Sequence, residues 1–319
     1  MAVASTSGRQ NIGAHSGNSA YFDKKGEVNE LRQLLRSVAV QNNIVKARDA
    51  VKKTIAYMTL GIDVSRLFSD MIMLCHSRDP VLKKMIYLYL TNYAEYQSDL
   101  AILAVNTLQK DCRDEDPTIR GLALRSLCSL RLPNMLEYVE PAIMSGMRDT
   151  SGYVRKTAVM GCAKLYMIAP DHVEPDGDKV EILHTLLDDP DPAVVVNAIS
   201  ALDNILEHHG GIAITKDRIT GLLNRILDFS KWGQCAVLRL VQQYEPENDE
   251  EKFDVMNILE GLMKQQSAGV CLAACKLFID YSEGDPELQR QVIERIKAPL
   301  LTLSTTTHAP ELCYTVLVL

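Results

Sequence analysis

Apolar residues recur along most of the chain at intervals of three and four positions. This spacing places them on one side of an α-helix. The segment that follows Pro192 shows it clearly, with Val195, Ala198, Ile199, Leu202, Ile205 and Leu206 on one face. Short breaks containing Pro, Gly, Asp or Ser separate the periodic segments. The pattern predicts a succession of amphipathic helices joined by short turns.

A turn signal at the start of these helices recurs at a regular interval. An Asp or Ser side chain there can accept a backbone N–H of the first turn, and Pro at the first helical position loses no hydrogen bond. Numbered by the Pro or Gly, successive signals lie 35 to 41 residues apart. The four strong copies of this signal are Asp79-Pro80, Asp116-Pro117, Ser151-Gly152 and Asp191-Pro192. Three weaker copies centre on single residues, Gly233, Gly269 and Pro310.

A repeat of this length with two helices per unit predicts an all-α fold, a HEAT or armadillo-like α-solenoid in which stacked units share a core. One unit is expected to pair helices over about 117–130 and 133–147, with a break at 131–134. We expect a flexible tail over residues 1–25 and at least seven units in a trunk over 26–319. The last residues are apolar and lack a polar capping helix, so we expect a trunk truncated at its C-terminal end.

Composition and charge narrow the function classes. The chain is 47% hydrophobic but only 6% aromatic, which favours helices packed through aliphatic residues. A net charge of -7 gives no global basic field for nucleic acid. The eight cysteines form no CxxC motif, and the first 18 residues lack the apolar stretch of a signal peptide. No stretch approaches the ~18 apolar residues of a membrane span. We expect a cytoplasmic protein with reduced cysteines.

The chemistry-bearing patterns point away from catalysis. Phosphate-loop, dinucleotide, zinc-protease and hydrolase signatures are all missing from the sequence. Cys271 and Cys275 lack further ligands at metal-site spacing, so we interpret them as core residues. His208-His209 precede Gly210-Gly211, which is typical of a helix C-terminus. We therefore expect no catalytic, cofactor or metal site and no small-molecule substrate.

Two further features each allow two interpretations. The acidic clusters at 188–191 and 245–251 lack the ligand spacing of a calcium loop, so solvated loops are favoured over a metal site. Trp232 is the single tryptophan. It could anchor a partner, because tryptophan is enriched at binding hot spots, but core packing is the favoured prediction for a repeat helix.

Four stretches of the sequence together form a specific pattern: residues 24–27, 57–61 with 63–65, 82–90 and 99–107. In these stretches the chain resembles the trunk of the β-type large subunits (β-adaptins) of the clathrin-adaptor class of vesicle coat complexes. The similarity runs from about Tyr21 to Leu319. Residues 120–131, Gly210-Gly211 and residues 222–225 are most similar to the β subunit of the fourth adaptor complex.

The resemblance implies a scaffold in cargo sorting and vesicle-mediated transport. The implied assembly is a heterotetramer with a second large, a medium and a small subunit. An Arf-family GTPase would recruit it to the periphery of trans-Golgi network or endosomal membranes. Ile102 and Val105 match the apolar positions through which related trunks touch the GTPase, although alone they are typical of core. Tyr21 and Phe22 match an aromatic pair that plugs the cargo pocket of the small subunit.

Two other classes of function remain open at this point. The chain could be another HEAT-repeat scaffold, such as a phosphatase scaffold or a nuclear transport receptor. It could also be the helical regulatory part of a larger enzyme. The helical repeat alone does not separate these alternatives from an adaptor subunit.

Overall fold

The computed structural model describes residues 16–41, 43–130, 136–264, 267–306 and 309–318. These residues contain sixteen α-helices, short 3-10 turns and no strand, so the all-α prediction is confirmed. No helix in the described ranges is both long and apolar enough to cross a membrane. The helices fall into two compact units, Met1–Met135 and Leu136–Leu319.

The N-terminal unit holds the first six helices. They pack in pairs, α1 on α2, α3 on α4 and α5 on α6. In addition, α4 packs against both α2 and α6, while α3 packs against both α1 and α5, so the even and odd helices form two layers. The bounds are α1 Ser16–Gln41, α2 Ile44–Thr59, α3 Phe68–Met73, α4 Pro80–Tyr93, α5 Ser98–Asp111 and α6 Pro117–Leu127.

The C-terminal unit continues the same plan with five pairs, in which α10 packs between α8 and α12, and α12 packs against α14. Its helices are α7 Leu136–Met147, α8 Gly152–Ile168, α9 Asp178–Thr185, α10 Pro192–Leu206, α11 Lys216–Asn224, α12 Lys231–Val241, α13 Asp249–Met263, α14 Ala268–Ser282, α15 Pro286–Thr306 and α16 Pro310–Val318.

All seven turn signals lie at the starts of even-numbered helices, from α4 to α16. The Asp side chains cap as predicted: Asp79, Asp116 and Asp191 accept backbone N–H groups of their own first turns at 2.8 to 2.9 Å. The prediction is wrong for Ser151, which makes no side-chain cap. The break predicted at 131–134 lies outside the described residues.

Ion pairs join three even helices, α2, α4 and α8, to the segment that precedes the next even helix. Arg48 of α2 holds both carboxylate oxygens of Asp79, at 2.8 and 2.6 Å. Arg155 of α8 holds both oxygens of Asp189 in the turn before α10, at 2.7 and 2.9 Å. Lys83 of α4 takes the equivalent position, 2.5 Å from Asp111 at the end of α5. These pairs fix the stacking of neighbouring helix pairs within each unit.

The acidic clusters are therefore not purely solvated loops, and that prediction is wrong for two residues. Asp189 is buried in its pair with Arg155. Glu251 lies in the first turn of α13, where it is buried and accepts the Tyr244 hydroxyl at 2.5 Å. Burial and that carboxylate raise the pKa of Tyr244 to about 12. Both acids are paired inside the fold rather than exposed to water.

Removing the buried carboxylate in Asp189→Asn should destabilise the chain by about 3 kcal/mol, because the Arg155 guanidinium, 14% exposed, would lose the carboxylate that pairs with its charge. Urea unfolding of the variant and of the unsubstituted chain measures this difference in unfolding free energy. Glu287→Gln is the matched control, because the Arg290–Glu287 pair is 77% and 69% exposed and should contribute less than about 1 kcal/mol. Equal effects of the two substitutions would contradict the role given to the buried pair.

The same pairs predict how stability depends on pH. The hydrogen bond from Arg48 lowers the pKa of Asp79. Burial is the largest single influence on Asp189 and acts to raise its pKa. The hydrogen bonds from Arg155 and from the backbone N–H of Asp191, with the charges of Arg155 and Arg225, together outweigh it and lower the pKa. A lowered folded-state pKa adds stability above the unfolded value of about 4, and this stability is lost as the pH falls below it. In Asp189→Asn, the loss of unfolding free energy between pH 6 and pH 3 should be smaller than in the unsubstituted chain.

Gly152 occupies the first position of α8, where the other strong copies carry Pro, and a Cβ there would overlap the Asp191 carboxylate. Gly152→Ala should therefore destabilise the chain by about 1–3 kcal/mol through overpacking. Gly261 in α13 has open space, so Gly261→Ala should stabilise by about 0.5–1 kcal/mol through helix propensity. Chemical denaturation of both variants tests whether their unfolding free energies change in opposite directions. A stabilising Gly152→Ala would overturn the steric argument.

Candidate partner-binding surface

Helix α5 presents the apolar surface predicted to meet a partner. Its buried side is built from small and aliphatic residues, Ala101, Ala104, Val105 and Leu108, each 0% exposed. Its outer side carries Ile102 and Leu103, 41% and 48% exposed, followed one turn later by the exposed Asn106. Two adjacent exposed aliphatic side chains on a helix leave an apolar stripe in contact with water.

The structure separates the two residues assigned to the GTPase contact. Ile102 is exposed, whereas Val105 is fully buried in the core of the N-terminal unit. Residues three positions apart on a helix, such as Ile102 and Val105, point in directions that differ by about 60° around the helix axis. On α5 this difference places one side chain in solvent and the other in the core. Val105 thus supports α5 from beneath and offers a partner no direct contact. Leu103, which the sequence reasoning left out, lies beside Ile102 in the same apolar run.

Tyr21 and Phe22 lie within α1, but their side chains are outside the described residues. The aromatic plug therefore stays a prediction. Helix α1 begins at Ser16, inside the segment expected to be a flexible tail. The boundary of the trunk at residue 26 likewise stays a prediction.

A buried polar cluster fixes the C-terminal end of α5. Asp111 accepts hydrogen bonds from the Lys83 ammonium at 2.5 Å and from the Tyr87 hydroxyl. Lys83 also donates to the Cys75 carbonyl oxygen at 2.9 Å. Burial raises the pKa of the Cys75 thiol to about 12, and burial together with Asp111 raises the pKa of Tyr87 further above its usual value. The Cys75 thiol and the Tyr87 hydroxyl therefore stay protonated at neutral pH, which is the form that does not act as a nucleophile. The role of the cluster is to hold α5 on α4.

Two concavities flank α5, one at each end. The one at the C-terminal end has a volume of about 720 Å³ and mixes cations with carboxylates, among them Arg78, Lys110, Arg113 and Glu115. The one at the N-terminal end has a volume of about 710 Å³ and is lined by tyrosines, carboxylates and small polar side chains. The described residues contain no group of three or more His, Cys, Asp or Glu arranged to hold a metal.

Trp232 is exposed, so the prediction that it packs in the core is wrong. Its side chain is 78% accessible and borders a cavity of about 170 Å³ between α10 and α12. Helix α12 buries Gly233, Val237 and Leu240, and Trp232 lies off that face. Arg239 pairs with Asp203 across the same cavity at 2.9 Å. The alternative reading of Trp232 as an anchor for a partner stays a prediction.

The remaining candidates take the structural roles expected of them. Cys271 and Cys275 are buried, 2% and 0% exposed, in the core of the C-terminal unit. His208 and His209 follow the end of α10. Gly210 and Gly211 then adopt φ of 89° and 78°, a backbone conformation that glycine favours, and they terminate the helix.

Comparison with known proteins identifies the family. The family described as "Adaptin N terminal region" matches residues 23–317. The chain is 41% identical over 297 residues to the AP-4 complex subunit beta-1 of Mus musculus, covering 93% of this chain and 40% of that protein. It is 44% identical over 312 residues to beta-adaptin-like protein A of Arabidopsis thaliana, covering 95% of this chain and 36% of that protein.

A structural relative agrees with the helical fold. A chain of a homology model of the full-length AP-3 complex in an intermediate open conformation superposes with a TM-score of 0.63 at 22% identity, over 95% of this chain and 54% of that one. This likeness shows the fold alone. The present chain spans about two fifths of the length of the curated relatives it matches. The extent of the family match and the identity to its β subunits together show that the chain belongs to the adaptin family, as a β-adaptin of the AP-4-like kind.

Proposed function

We propose that this chain is the trunk part of a β-type adaptor subunit, a protein-binding scaffold in vesicle-mediated intracellular transport. The observation that carries the proposal is the family match over residues 23–317, nearly the whole described solenoid. It favours this function over a phosphatase scaffold, a nuclear transport receptor or the regulatory part of an enzyme. The role proposed is binding, without catalysis or a cofactor.

The partners follow from the proposed assembly. The scaffold would hold a second large subunit, a medium subunit and a small subunit, with Tyr21 and Phe22 meeting the small subunit. It would act in the cytoplasm, at the periphery of trans-Golgi network or endosomal membranes. Paired helices stacked in series suit this role, because long contiguous faces are left free for other proteins.

An Arf-family GTPase would bind the outer side of α5. Ile102 would be the central contact, with Leu103 beside it and Val105 holding the helix in place from the core. An exposed aliphatic pair needs an apolar counterpart, and burying it against one would be favourable by about 25 cal/mol per Å² of apolar area. The polar Asn106 lies at the rim of this stripe, where hydrogen bonds can fix the orientation of a partner.

The test is affinity capture of an Arf-family GTPase locked in its GTP form, with Ile102→Asp as the variant. Placing a charge at the centre of an apolar contact should weaken binding by about tenfold or more. Leu227→Asp is the matched control, since Leu227 is an aliphatic residue 72% exposed in the C-terminal unit, and it should leave binding unchanged. Val105→Asp is unsuitable because it would disrupt the core. Undiminished capture by folded Ile102→Asp would contradict the proposed contact.

A second capture experiment tests the scaffold role by itself. The tagged chain, incubated with cytosol, should recover large, medium or small adaptor subunits, identified by mass spectrometry. Urea unfolding of the bait, run in parallel, establishes that it is folded. A folded bait that recovers no adaptor subunit would overturn the scaffold proposal, whereas recovery of subunits without the GTPase would remove only the α5 contact.

A further inference from the structure

The C-terminal ends of three helices meet at one edge of the N-terminal unit. Helices α2, α4 and α6 end at Thr59, Tyr93 and Leu127, and the segments that follow them line the concavity of about 710 Å³. Helix C-termini carry partial negative charge because their last carbonyl groups lack intrahelical partners. Three such ends outnumber the one N-terminus at this place, that of α5, so the helix ends together favour a cation within the concavity.

Two carboxylates add full negative charge to the same place. Asp63 and Glu95 both line the concavity, and among the described residues that line it there is no lysine or arginine. The Asp63 carboxylate accepts the backbone N–H of Ser65 at 2.9 Å. This bond, with a smaller contribution from nearby Arg66, lowers the pKa of Asp63, so the group is ionised at neutral pH. Both side chains are exposed at the mouth of the concavity.

Tyrosine rings form one wall. Phe68, Tyr89, Tyr93 and Tyr96 make a continuous series of ring contacts, with centroid separations of 6.3, 4.9 and 6.3 Å. The inner end is fixed, because Phe68 and Tyr89 are buried and the Tyr89 hydroxyl donates to the Val64 carbonyl oxygen at 2.5 Å. The outer end is Tyr96, 75% exposed. An exposed aromatic ring at the edge of the concavity is a surface on which a cation can rest.

We infer that this concavity binds an arginine side chain presented by an exposed segment of a partner protein. The guanidinium is planar, so it can lie on the Tyr96 ring while its N–H groups pair with Glu95 and Asp63. A phosphate-bearing ligand would meet carboxylates and helix C-termini, both repulsive to it. The inference is independent of the proposed function, because it uses neither the α5 stripe nor any adaptor subunit.

A blocked tripeptide, acetyl-Gly-Arg-Gly-amide, serves as the probe, with the citrulline peptide as its neutral isostere. Titrated into the ¹⁵N-labelled chain, the arginine peptide should shift the amide signals of Ser65, Gln97 and Ser129, and the citrulline peptide should not. Glu95→Gln and Tyr96→Ala should each weaken the interaction by about threefold. Glu115→Gln, an exposed carboxylate at the other end of α5, should leave it unchanged.

Raising the salt concentration should weaken binding further, because exposed charges carry much of the attraction. Shifts of equal size with the citrulline peptide, or shifts centred away from these amides, would overturn the inference. So would full binding to Glu95→Gln combined with Asp63→Asn. The substituted side chains are all exposed, and thermal unfolding of each variant confirms that the fold is retained. The comparison of the arginine and citrulline peptides on the unsubstituted chain tests the inference without relying on any variant.

Discussion

One interaction recurs at three helix junctions of this chain: a cation on one helix is held by a carboxylate ahead of the next helix of the same layer. Asp79 makes two contacts with one side chain. It accepts the backbone N–H of Leu82 in the first turn of α4, and it accepts hydrogen bonds from the Arg48 guanidinium, which ties α4 to α2. A single residue thus sets both where a helix begins and which helix it packs against. In a solenoid, where no pair buries its apolar face alone, this linkage between neighbours defines the fold.

The same arrangement explains where binding surfaces arise. Each layer buries one side of every helix and leaves the opposite side and the helix ends free. Helix α5 illustrates both outcomes: Val105 and its neighbours seat the helix, Asp111 fixes its end through Lys83, and Ile102 with Leu103 is left facing water. The concavity at the other end of α5 has the same origin, since helices of equal direction end along one edge. On such a fold, partners bind to exposed helix faces and helix ends rather than in a deep active site.

The sequence predicted the features that depend on local chemistry. Pro or Gly after Asp or Ser marked helix starts because capping and the fixed φ of proline act within one turn. It failed where the outcome depends on how the folded chain surrounds a residue. Asp189 and Glu251 read as solvated acids because their partners, Arg155 and Tyr244, cannot be inferred from the acidic run itself. Trp232 was misplaced because the prediction rested on the usual role of tryptophan in a repeat helix, whereas neighbouring positions of a helix differ by about 100° and Trp232 lies off the face that buries Gly233 and Val237.

Gly152 shows that the residue at the start of one helix depends on a side chain ahead of the next even helix. The space above it is filled by the carboxylate of Asp191, which caps the first turn of the following even helix, α10. A side chain at position 152 would therefore displace the Asp191 carboxylate from its present position, and the cap of α10 with it. Pro80 and the capping Asp116 occur together two repeats earlier, so the constraint belongs to this close contact rather than to the repeat as a whole. Where the repeat reads Ser-Gly instead of Asp-Pro, the first turn of one helix leaves room for the cap of the next even helix.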